Sequence, residues 1–423
     1  MTDKLRSDLA HLYRRAGFGA TAAELDAAVK VGYAGVVAAL VVPQSASDPG
    51  VLATPTPTYT IDPTVGATNK KKLRTESPEL MGWWIDRMVA ATNPFPEKMT
   101  FFWHGHFATA IEKVRSAGLM LRQNELFRSH GLGAFDVLDL AIAKDPAMMI
   151  WMDSAQNVAA HPNENFAREN MELFTLGYGN YTEDDVREGA RCFTGWRYNR
   201  ANDVFTEVAR SHDTGVKTVL GQTGNFDGGD IVRILTHSTA SHRWICTRVW
   251  SRFAKTVTTD PAIVDLLPTY AAHLDVRALM TATFMSPAFL ATKGQLVKQP
   301  VEYVVGALRA LKSRLDGQKY LGVLGNLGQV PFDPPNVGGW AFDDAWLTTA
   351  ASYSRLKFAH SIATSGDISA VADVAPSARA DAAAHLLSVD EWGTQTQVAL
   401  AQVADDPVSL MTLALCAPEY VVN

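Results

Sequence analysis

The chain has 423 residues, of which 47% are hydrophobic and 19% are charged, and this composition excludes an intrinsically disordered protein. The net charge of -6 argues against nucleic acid as the main partner, because proteins that bind polyanions carry an excess of Lys and Arg. No apolar run reaches the roughly 20 residues that a membrane-spanning helix needs.

Helical periodicity extends over most of the chain, and capping residues and prolines indicate where helices begin. The segments predicted to be helical are 3–15, 21–40, 78–92, 96–114, 120–130, 135–144, the first half of 162–196, a second helix there from Thr182, 227–237, 241–253, several between 261 and 315, and others up to about 415.

Two segments depart from this pattern. Residues 43–75 are rich in Pro, Thr, Ser and Gly, which predicts a long loop. Residues 198–220 alternate apolar and polar side chains in FTEV and VKTVL, which predicts a small β-hairpin with His212 and Asp213 near its turn. We therefore expect a mainly α protein, in which residues 1–423 form a single large multi-helix domain with one small hairpin insertion.

The three cysteines, Cys192, Cys246 and Cys416, are too few and too far apart for a disulfide framework or a zinc ribbon. The Arg14-Arg15 pair is not followed by the uninterrupted apolar segment of an export signal. Both observations predict a cytoplasmic protein.

The segment 162–196 contains the most polar helical face. At 3.6 residues per turn, one stripe is formed by Glu164, Asn165, Arg168, Glu169, Glu172 and Thr175. Glu169 and Glu172 lie one turn apart, and repulsion between two carboxylates raises the pKa of one of them toward neutrality. A proton donor beside a carboxylate base is the equipment of glycosidic or ester hydrolysis. The alternative is a solvated face in which Arg168 forms weak ion pairs with its neighbours.

The sequence Trp103-His104-Gly105-His106-Phe107 places two histidines two positions apart. In a continuous helix their side chains diverge by about 200 degrees, so both can bind one metal ion only if Gly105 breaks the helix. One of them is also a candidate to join the carboxylate stripe as an acid or base.

In the favoured hypothesis the protein is a hydrolase or related enzyme acting on a glycan or other polar substrate, and no cofactor is required. Its catalytic residues are Glu169, Glu172, His104 and His106. Its predicted substrate-binding residues are Asn163, Glu164, Asn165, Arg168, Trp196, His212, Asp213 and Trp340. Trp340 lies on a Gly/Pro-rich segment and is a candidate platform for a sugar ring.

Two alternatives stay open. One is a metal-dependent enzyme in which His104, His106, His212 or Asp213 joins a glutamate around a divalent ion. The other is a non-catalytic binding or assembly protein that contacts a partner through residues 43–75. Asp213 also has a purely structural interpretation, because Asp-Thr-Gly suits a tight turn. The substrate and the oligomeric state cannot be read from the sequence.

Several segments together resemble a known bacterial family: HLYRRAGFGAT, FFWHGHFAT, LAIAKDPAMMIWMD, NENFARENMELFTLGYGNYTEDDVREGARCFTGW, HDTGVKTVLG, NFDGGDIVRIL and PPNVGGWAFDDAW. The family is named domain of unknown function eighteen hundred, and the similarity extends from His11 to about Lys357. The resemblance implies one body and supplies no activity. It also implies that members are often exported, and that Asn commonly occupies the position of Gly105.

Overall fold

The computed structural model describes residues 2–61 and 67–422. Within these ranges the chain forms 25 α-helices and two small antiparallel sheets, which confirms the mainly α prediction. The helices before the polar segment are α1 Thr2–Ala16, α2 Ala22–Val31, α3 Tyr33–Leu40, α4 Pro49–Ala53, α5 Ala67–Ala90, α6 Phe95–His106, α7 Ile111–Val114, α8 Ala117–His130, α9 Phe135–Ala143 and α10 Pro146–Trp151.

The beginning of α2 is determined by local chemistry. The Thr21 hydroxyl accepts a hydrogen bond from the Glu24 backbone N–H at 3.2 Å, and the Glu24 carboxylate accepts one from the Thr21 N–H at 2.7 Å. The single helix predicted over 21–40 is divided into α2 and α3 at Gly32. Its φ of 82° is incompatible with a continuous right-handed helix and suits glycine.

The long loop predicted over 43–75 is wrong at both ends. It contains the short helix α4, whose first N–H groups bind the Asp48 carboxylate, with Gly50 N at 2.7 Å. Helix α5 begins at Ala67 and continues through Pro78, because the run before the proline has good helix formers and an ion pair from Lys72 to Glu76. Residues 62–66 lie outside the described ranges.

The middle of the chain contains all four β-strands of the described residues. Its elements are α11 Glu164–Glu169, a π-helix Asn170–Thr175, α12 Glu183–Cys192, β1 Trp196–Asn199, β2 Val204–Glu207, a 3₁₀ turn Ala209–Ser211, β3 Lys217–Val219, β4 Gln222–Gly224, α13 Gly228–Thr236 and α14 Thr239–Phe253. The β-structure predicted near 198–220 is present as two hairpins, β1 with β2 and β3 with β4. Each strand pairs across its own short turn, so His212 and Asp213 lie in the connection between the hairpins.

Helices return after this region. The remaining elements are α15 Pro261–Ala271, α16 Val276–Met285, α17 Pro287–Leu290, α18 Pro300–Ala310, a 3₁₀ turn Gly317–Tyr320, α19 Leu321–Leu327, a 3₁₀ turn Asp343–Trp346, α20 Thr349–Ser365, α21 Ser369–Ala372, a 3₁₀ turn Pro376–Ala378, α22 Arg379–Leu387, α23 Thr394–Gln402, α24 Pro407–Cys416 and α25 Pro418–Val421. Across the described ranges, none of the helices has the length and apolar character needed to cross a bilayer.

Helices α6 and α18 lie at the centre of the fold. All residues of α18, and all of α6 except Gly105, are buried. Their polar side chains pair with one another, since the Lys98 ammonium contacts the Glu302 carboxylate. Buried hydrophobic residues from Leu9 to Val421 form one cluster around these helices. The single-domain organisation stays a prediction.

The first helix is held by residues near the other end of the chain. Arg14 Nη1 donates a hydrogen bond to the Ser388 carbonyl at 2.6 Å, and the Ser7 hydroxyl donates one to the Asp390 carboxylate. Ser388 Oγ in turn donates to the Ala20 carbonyl at 3.0 Å. Helix α1 therefore depends on long-range contacts.

Candidate functional site

The polar helix begins at a well-formed cap. Asn163 Oδ1 accepts a hydrogen bond from Asn165 N at 2.9 Å, and Asn163 Nδ2 donates one to the Asp153 carbonyl at 2.7 Å. Asn165 is exposed at the surface. The Asn163 side chain is thus used in helix capping, which is the ordinary role of Asn at this position.

Two further members of the predicted stripe form a surface ion-pair network. Arg168 contacts Glu164 at 3.1 Å and, from a neighbouring helix, Glu183 at 2.7 Å. These contacts match the solvated-face alternative for Glu164 and Arg168, and they direct the guanidinium toward Glu183.

The helix changes its winding at Asn170. Residues 170–175 form a π-helix, in which each hydrogen bond spans five residues, and such segments are frequent at functional sites. Thr175 was predicted in the polar stripe, but it is fully buried, and its hydroxyl donates to the Asn170 carbonyl at 2.6 Å. The wider turn explains this error, because a count of 3.6 residues per turn no longer describes which side chains share a face.

Glu169 and Glu172 lie on either side of this transition. Both side chains are partly buried. Burial, followed by the negative charge of Glu172, raises the pKa of Glu169 above its ordinary value, and Arg168 opposes the shift. The Glu172 carboxylate accepts a hydrogen bond from the Tyr181 hydroxyl. The two carboxyl groups therefore have different environments.

Two tyrosines and an arginine border this pair. Burial and the nearby Glu172 carboxylate raise the pKa values of both Tyr178 and Tyr181, and Tyr178 is 67% exposed. Burial lowers the pKa of Arg248 to about 10, and the Tyr178 phenol acts in the opposite direction. Helix α14 is attached to the π-helix by Trp244, whose Nε1 donates to the Leu173 carbonyl at 2.9 Å.

His106 approaches the π-helix from the protein interior. Its Nε2 donates a hydrogen bond to the Phe174 carbonyl at 2.9 Å, and its buried Nδ1 has no partner among the described residues. Burial, and secondarily the Arg248 charge, lowers the pKa of His106 to about 3, so the ring is neutral. His106 contacts the backbone that carries Glu172, and this contact is a positioning interaction.

His104 lies in a different environment. Its Nε2 accepts a hydrogen bond from Phe332 N at 3.0 Å, and the rings of Trp84 and Trp340 pack edge-on against it at 5.5 and 5.4 Å. Burial lowers the pKa of His104 to about 3. The structure therefore places this imidazole in an aromatic interior, and its bonded nitrogen faces the backbone.

The predicted metal ligands are not assembled into one group. Helix α6 continues through Gly105, so the break that would turn His104 and His106 toward each other does not occur. In residues 2–61 and 67–422, no group of three or more His, Cys, Asp or Glu side chains has the arrangement of a metal site.

His212 and Asp213 attach the hairpins to α12. Asp213 forms an ion pair with Arg191 at 2.7 Å, and this contact lowers the pKa of Asp213 to about 2. Its Oδ1 also accepts from Gly215 N at 2.8 Å, as expected of a turn-forming residue. His212 Nδ1 donates to the Thr194 carbonyl at 2.9 Å.

The two tryptophans predicted to contact substrate are largely buried. Trp196 is 6% exposed, and the rings of Phe193 and Phe205 pack edge-on against it. Trp340 is 7% exposed and stacks on Phe101 at 5.5 Å. Neither indole therefore presents a free face for a sugar ring. Burial of this kind is expected of large aromatic side chains, because they gain most free energy when they are removed from water.

The loop that carries Trp340 approaches α6 very closely. Gly339 has a φ of 81°, and a Cβ built on it would lie 2.3 Å from the Gly105 carbonyl oxygen. Glycine is required at position 339 by both its backbone angle and this contact. The approach places the Trp340 ring against α6 beside Gly105.

Behind the π-helix lies a buried carboxyl group. Asn170 Nδ2 donates to Asp139 Oδ1 at 2.8 Å, whereas Asp139 Oδ2 and Asn170 Oδ1 have no hydrogen-bond partner among the described residues. Burial raises the pKa of Asp139 to about 7. The side chain therefore retains its proton over a wide pH range.

The family model described as Protein of unknown function (DUF1800) matches residues 11–422, which is nearly the whole chain. The chain belongs to this family. No curated protein and no solved structure matches it significantly. The DUF1800 description names no activity, so the function has to be argued from the residues of this chain.

Sequence reasoning missed three groups in this DUF1800 protein. Tyr178 and Tyr181 follow directly after the polar helix, and this adjacency was a usable signal. Arg248 lies four residues before Arg252 on α14, a spacing that places both on one face. Asp139 is one of two carboxylates, with Asp136, in an otherwise apolar helix, and nothing in its local sequence distinguishes it from a surface residue.

Proposed function

We propose that this protein is a hydrolase acting on a glycan or another polar substrate, with Glu169 and Glu172 as its catalytic carboxyl groups. The observation that carries the proposal is the unequal environment of the pair. Glu169 is partly desolvated and has a raised pKa, whereas Glu172 accepts a hydrogen bond from Tyr181. Carboxyl pairs whose environments differ in this way divide the acid and base roles between them.

The roles follow from this difference. Protonated Glu169 donates its proton to the leaving-group oxygen while the bond from that oxygen to carbon breaks. The Glu172 carboxylate takes a proton from the attacking water, whose oxygen forms the new bond to the same carbon. Tyr181 orients the Glu172 carboxylate, and exposed Tyr178 contacts the substrate.

The experiment is a turnover screen of the purified full chain against polysaccharides, oligosaccharides and carboxylic esters. Glu169→Gln and Glu172→Gln each lower kcat by at least about 100-fold, since acid–base catalysis by one group contributes roughly that much. The matched control is Glu112→Gln, which alters an exposed glutamate on α7 and leaves kcat unchanged. Full activity of both Glu169→Gln and Glu172→Gln would contradict the proposal.

The non-catalytic alternative also has specific support. Asn163 caps its own helix, and Glu164, Arg168 and Glu183 satisfy one another, so part of the polar face has a structural role. In a binding or assembly protein, the Gln variants alter no turnover and the wild-type chain hydrolyses no member of the substrate panel. The metal-dependent alternative predicts stoichiometric zinc or another divalent ion by elemental analysis of the purified protein.

A further inference from the structure

A small cavity lies between α6, α14 and the loop that carries Trp340. Its volume is about 30 Å³, which is room for about two water-sized groups. The residues that line it are Phe101, Phe102, Gly105, Arg248, Ser251, Arg252, Gln299, Trp340 and Phe342. Arg248, Ser251 and Phe342 retain partial solvent exposure, so the cavity opens on their side.

Two polar side chains of this cavity carry buried hydrogen-bond donors without acceptors among the residues that the structure describes. Trp340 is 7% exposed, and its buried Nε1 has no hydrogen-bond partner among the described residues. Arg248 Nε is likewise buried without a partner, and its guanidinium lies 5.1 Å from the centre of the Phe342 ring. Indole and guanidinium groups donate only, so neither can satisfy the other.

Two positive charges line the same face of α14. Arg248 and Arg252 are four residues apart, and like charges at this spacing repel each other. Arg252 has a partner in Glu302 at 2.7 Å. Arg248 forms no ion pair within the described part of the chain, and its guanidinium lies over the rings of Trp244 and Phe342.

The interior behind the cavity is rich in basic side chains. Arg15, Lys98, Arg252 and Lys298 are each at most 6% exposed and all interact with one buried carboxylate, Glu302. Partly exposed Asp343 acts on Arg15 as a second anion. Burial lowers the pKa of Lys98 to about 7, which reflects the cost of retaining this charge.

We propose that this cavity binds two oxygens of a compact anionic group, a carboxylate or one edge of a phosphate or sulfate at its open side, through Arg248, Arg252 and the indole N–H of Trp340. An anion would supply the acceptor that the two unpartnered donors lack and the negatively charged partner that Arg248 lacks among the described residues. Guanidinium groups suit this task because they offer several donors in a fixed plane to an oxyanion. The cavity lining contains neither Glu169 nor Glu172, although Arg248 also acts on the Tyr178 phenol beside that pair. The proposal stands whether or not the pair is catalytic.

The test is isothermal titration of the full chain with sodium phosphate, sulfate and acetate at constant ionic strength. The wild-type protein binds at least one of them saturably at one site. Tighter binding of acetate assigns a carboxylate ligand, and tighter binding of phosphate or sulfate assigns a tetrahedral oxyanion. Absence of saturable binding to all three anions overturns the proposal.

Two variants distinguish anion binding in the cavity from non-specific attraction of anions to the protein surface. Arg248→Gln weakens binding at least about tenfold, whereas Arg243→Gln, an exposed arginine on the same helix, leaves it unchanged. Equal losses in both variants, or none in Arg248→Gln, contradict the assignment. Trp340→Phe retains an aromatic ring, removes the indole N–H and weakens anion binding severalfold. This variant tests the site if Arg248→Gln does not fold. Failure of the hydrolase assay leaves all these outcomes unaffected.

Discussion

Arg252 Nη2 lies 2.7 Å from Glu302 Oε1, and the same carboxylate also contacts the Lys98 ammonium. All three side chains are buried. Burial alone would raise the pKa of Glu302, but Arg252 and Lys98 lower it to about 2. One carboxylate thus neutralises cations from two other helices at the centre of the fold.

We expect Glu302→Gln to lower the free energy of unfolding by about 3–5 kcal/mol, because it leaves buried cations without their counter-ion. Urea denaturation at pH 7.5 measures the change. Glu125→Gln is the control, since Glu125 pairs with Arg128 at a side-chain exposure of 43% and such a pair contributes at most about 1 kcal/mol. If Glu302→Gln and Glu125→Gln lower the unfolding free energy equally, the buried carboxylate contributes no more to stability than the exposed one, and the prediction is wrong.

The buried histidines predict a loss of stability in acid. The pKa of His104 is about 3 in the folded protein and 6.5 when unperturbed. A depressed folded pKa means that this stability is present above pH 6.5 and is lost as the pH falls toward 3, by about 1.4 kcal/mol per unit. His104→Gln places a non-titrating acceptor near Phe332 N, and we expect a shallower decline in urea denaturation between pH 6.5 and 4.5.

The control for this prediction is His161→Gln, because His161 is exposed. Its stability profile should run parallel to that of the wild-type protein. If the His104→Gln profile is also parallel to the wild-type profile, the imidazole is charged in the folded state and the prediction is wrong.

Asp139 predicts the opposite pH dependence. Its pKa is about 7 in the folded protein against an ordinary value of 3.8. A raised folded pKa means that the stability is present below pH 3.8 and is lost as the pH rises through about 7. Asp139→Asn removes this proton linkage, and we expect the unfolding free energy to be flatter between pH 4 and 7 and at least equal to wild type at pH 8.

Asp136→Asn, on the same helix but partly exposed, is the matched control. It should retain most of the wild-type slope, because burial is the main cause of the raised pKa of Asp139 and the Asp136 charge adds only a smaller contribution. A steep slope that persists in Asp139→Asn would assign the proton uptake to another group.

Replacement of Trp196 distinguishes a packing role in the core from contact with a substrate. It is 6% exposed, so we expect Trp196→Ala to destabilise the protein by about 3–5 kcal/mol through loss of packing. Thermal and urea unfolding measure the effect, and partly exposed Trp151→Ala should cost less. A Trp196→Ala variant with wild-type stability and weakened glycan binding would restore the platform role expected from the sequence.

Gly339 tests the contact between its loop and α6. Gly339→Ala combines a left-handed backbone angle with a steric clash against the Gly105 carbonyl, and we expect a loss of at least about 1–2 kcal/mol in unfolding free energy. Gly322→Ala is the control, since an added Cβ meets nothing within 4 Å there and alanine is the better helix former. That variant should be as stable as wild type or more so.

Local chemistry was predictable from the sequence. The cap formed by Thr182 and Asp185 was expected from their spacing and is present. The helical class was predictable in the same way, because the apolar residues that a helix buries recur every three to four positions in its own sequence. The hydrogen bond from Tyr181 to Glu172 spans nine residues and was within reach of such reasoning.

Two kinds of feature could not be predicted from the local sequence. The π-helix changes the angular position of every later side chain, so Thr175 was predicted in the polar stripe although it is fully buried. The ion pair of Lys98 and Glu302 joins residues 204 positions apart, and no local pattern encodes such a partner. Interior charges of this kind become visible only when the helices are placed together.

The attachment of α1 to Ser388 and Asp390 has a consequence for synthesis on the ribosome. Hydrogen bonds that hold this helix have partners 374 and 383 residues further along the chain, so they cannot form until Ser388 and Asp390 have been synthesised. Helix α1 also packs on its sequence neighbours α2 and α3, whereas contacts between residues so far apart in the chain close slowly. Its attachment to Ser388 and Asp390 is therefore a late step of folding, during which chaperone binding and proteolysis both compete with docking.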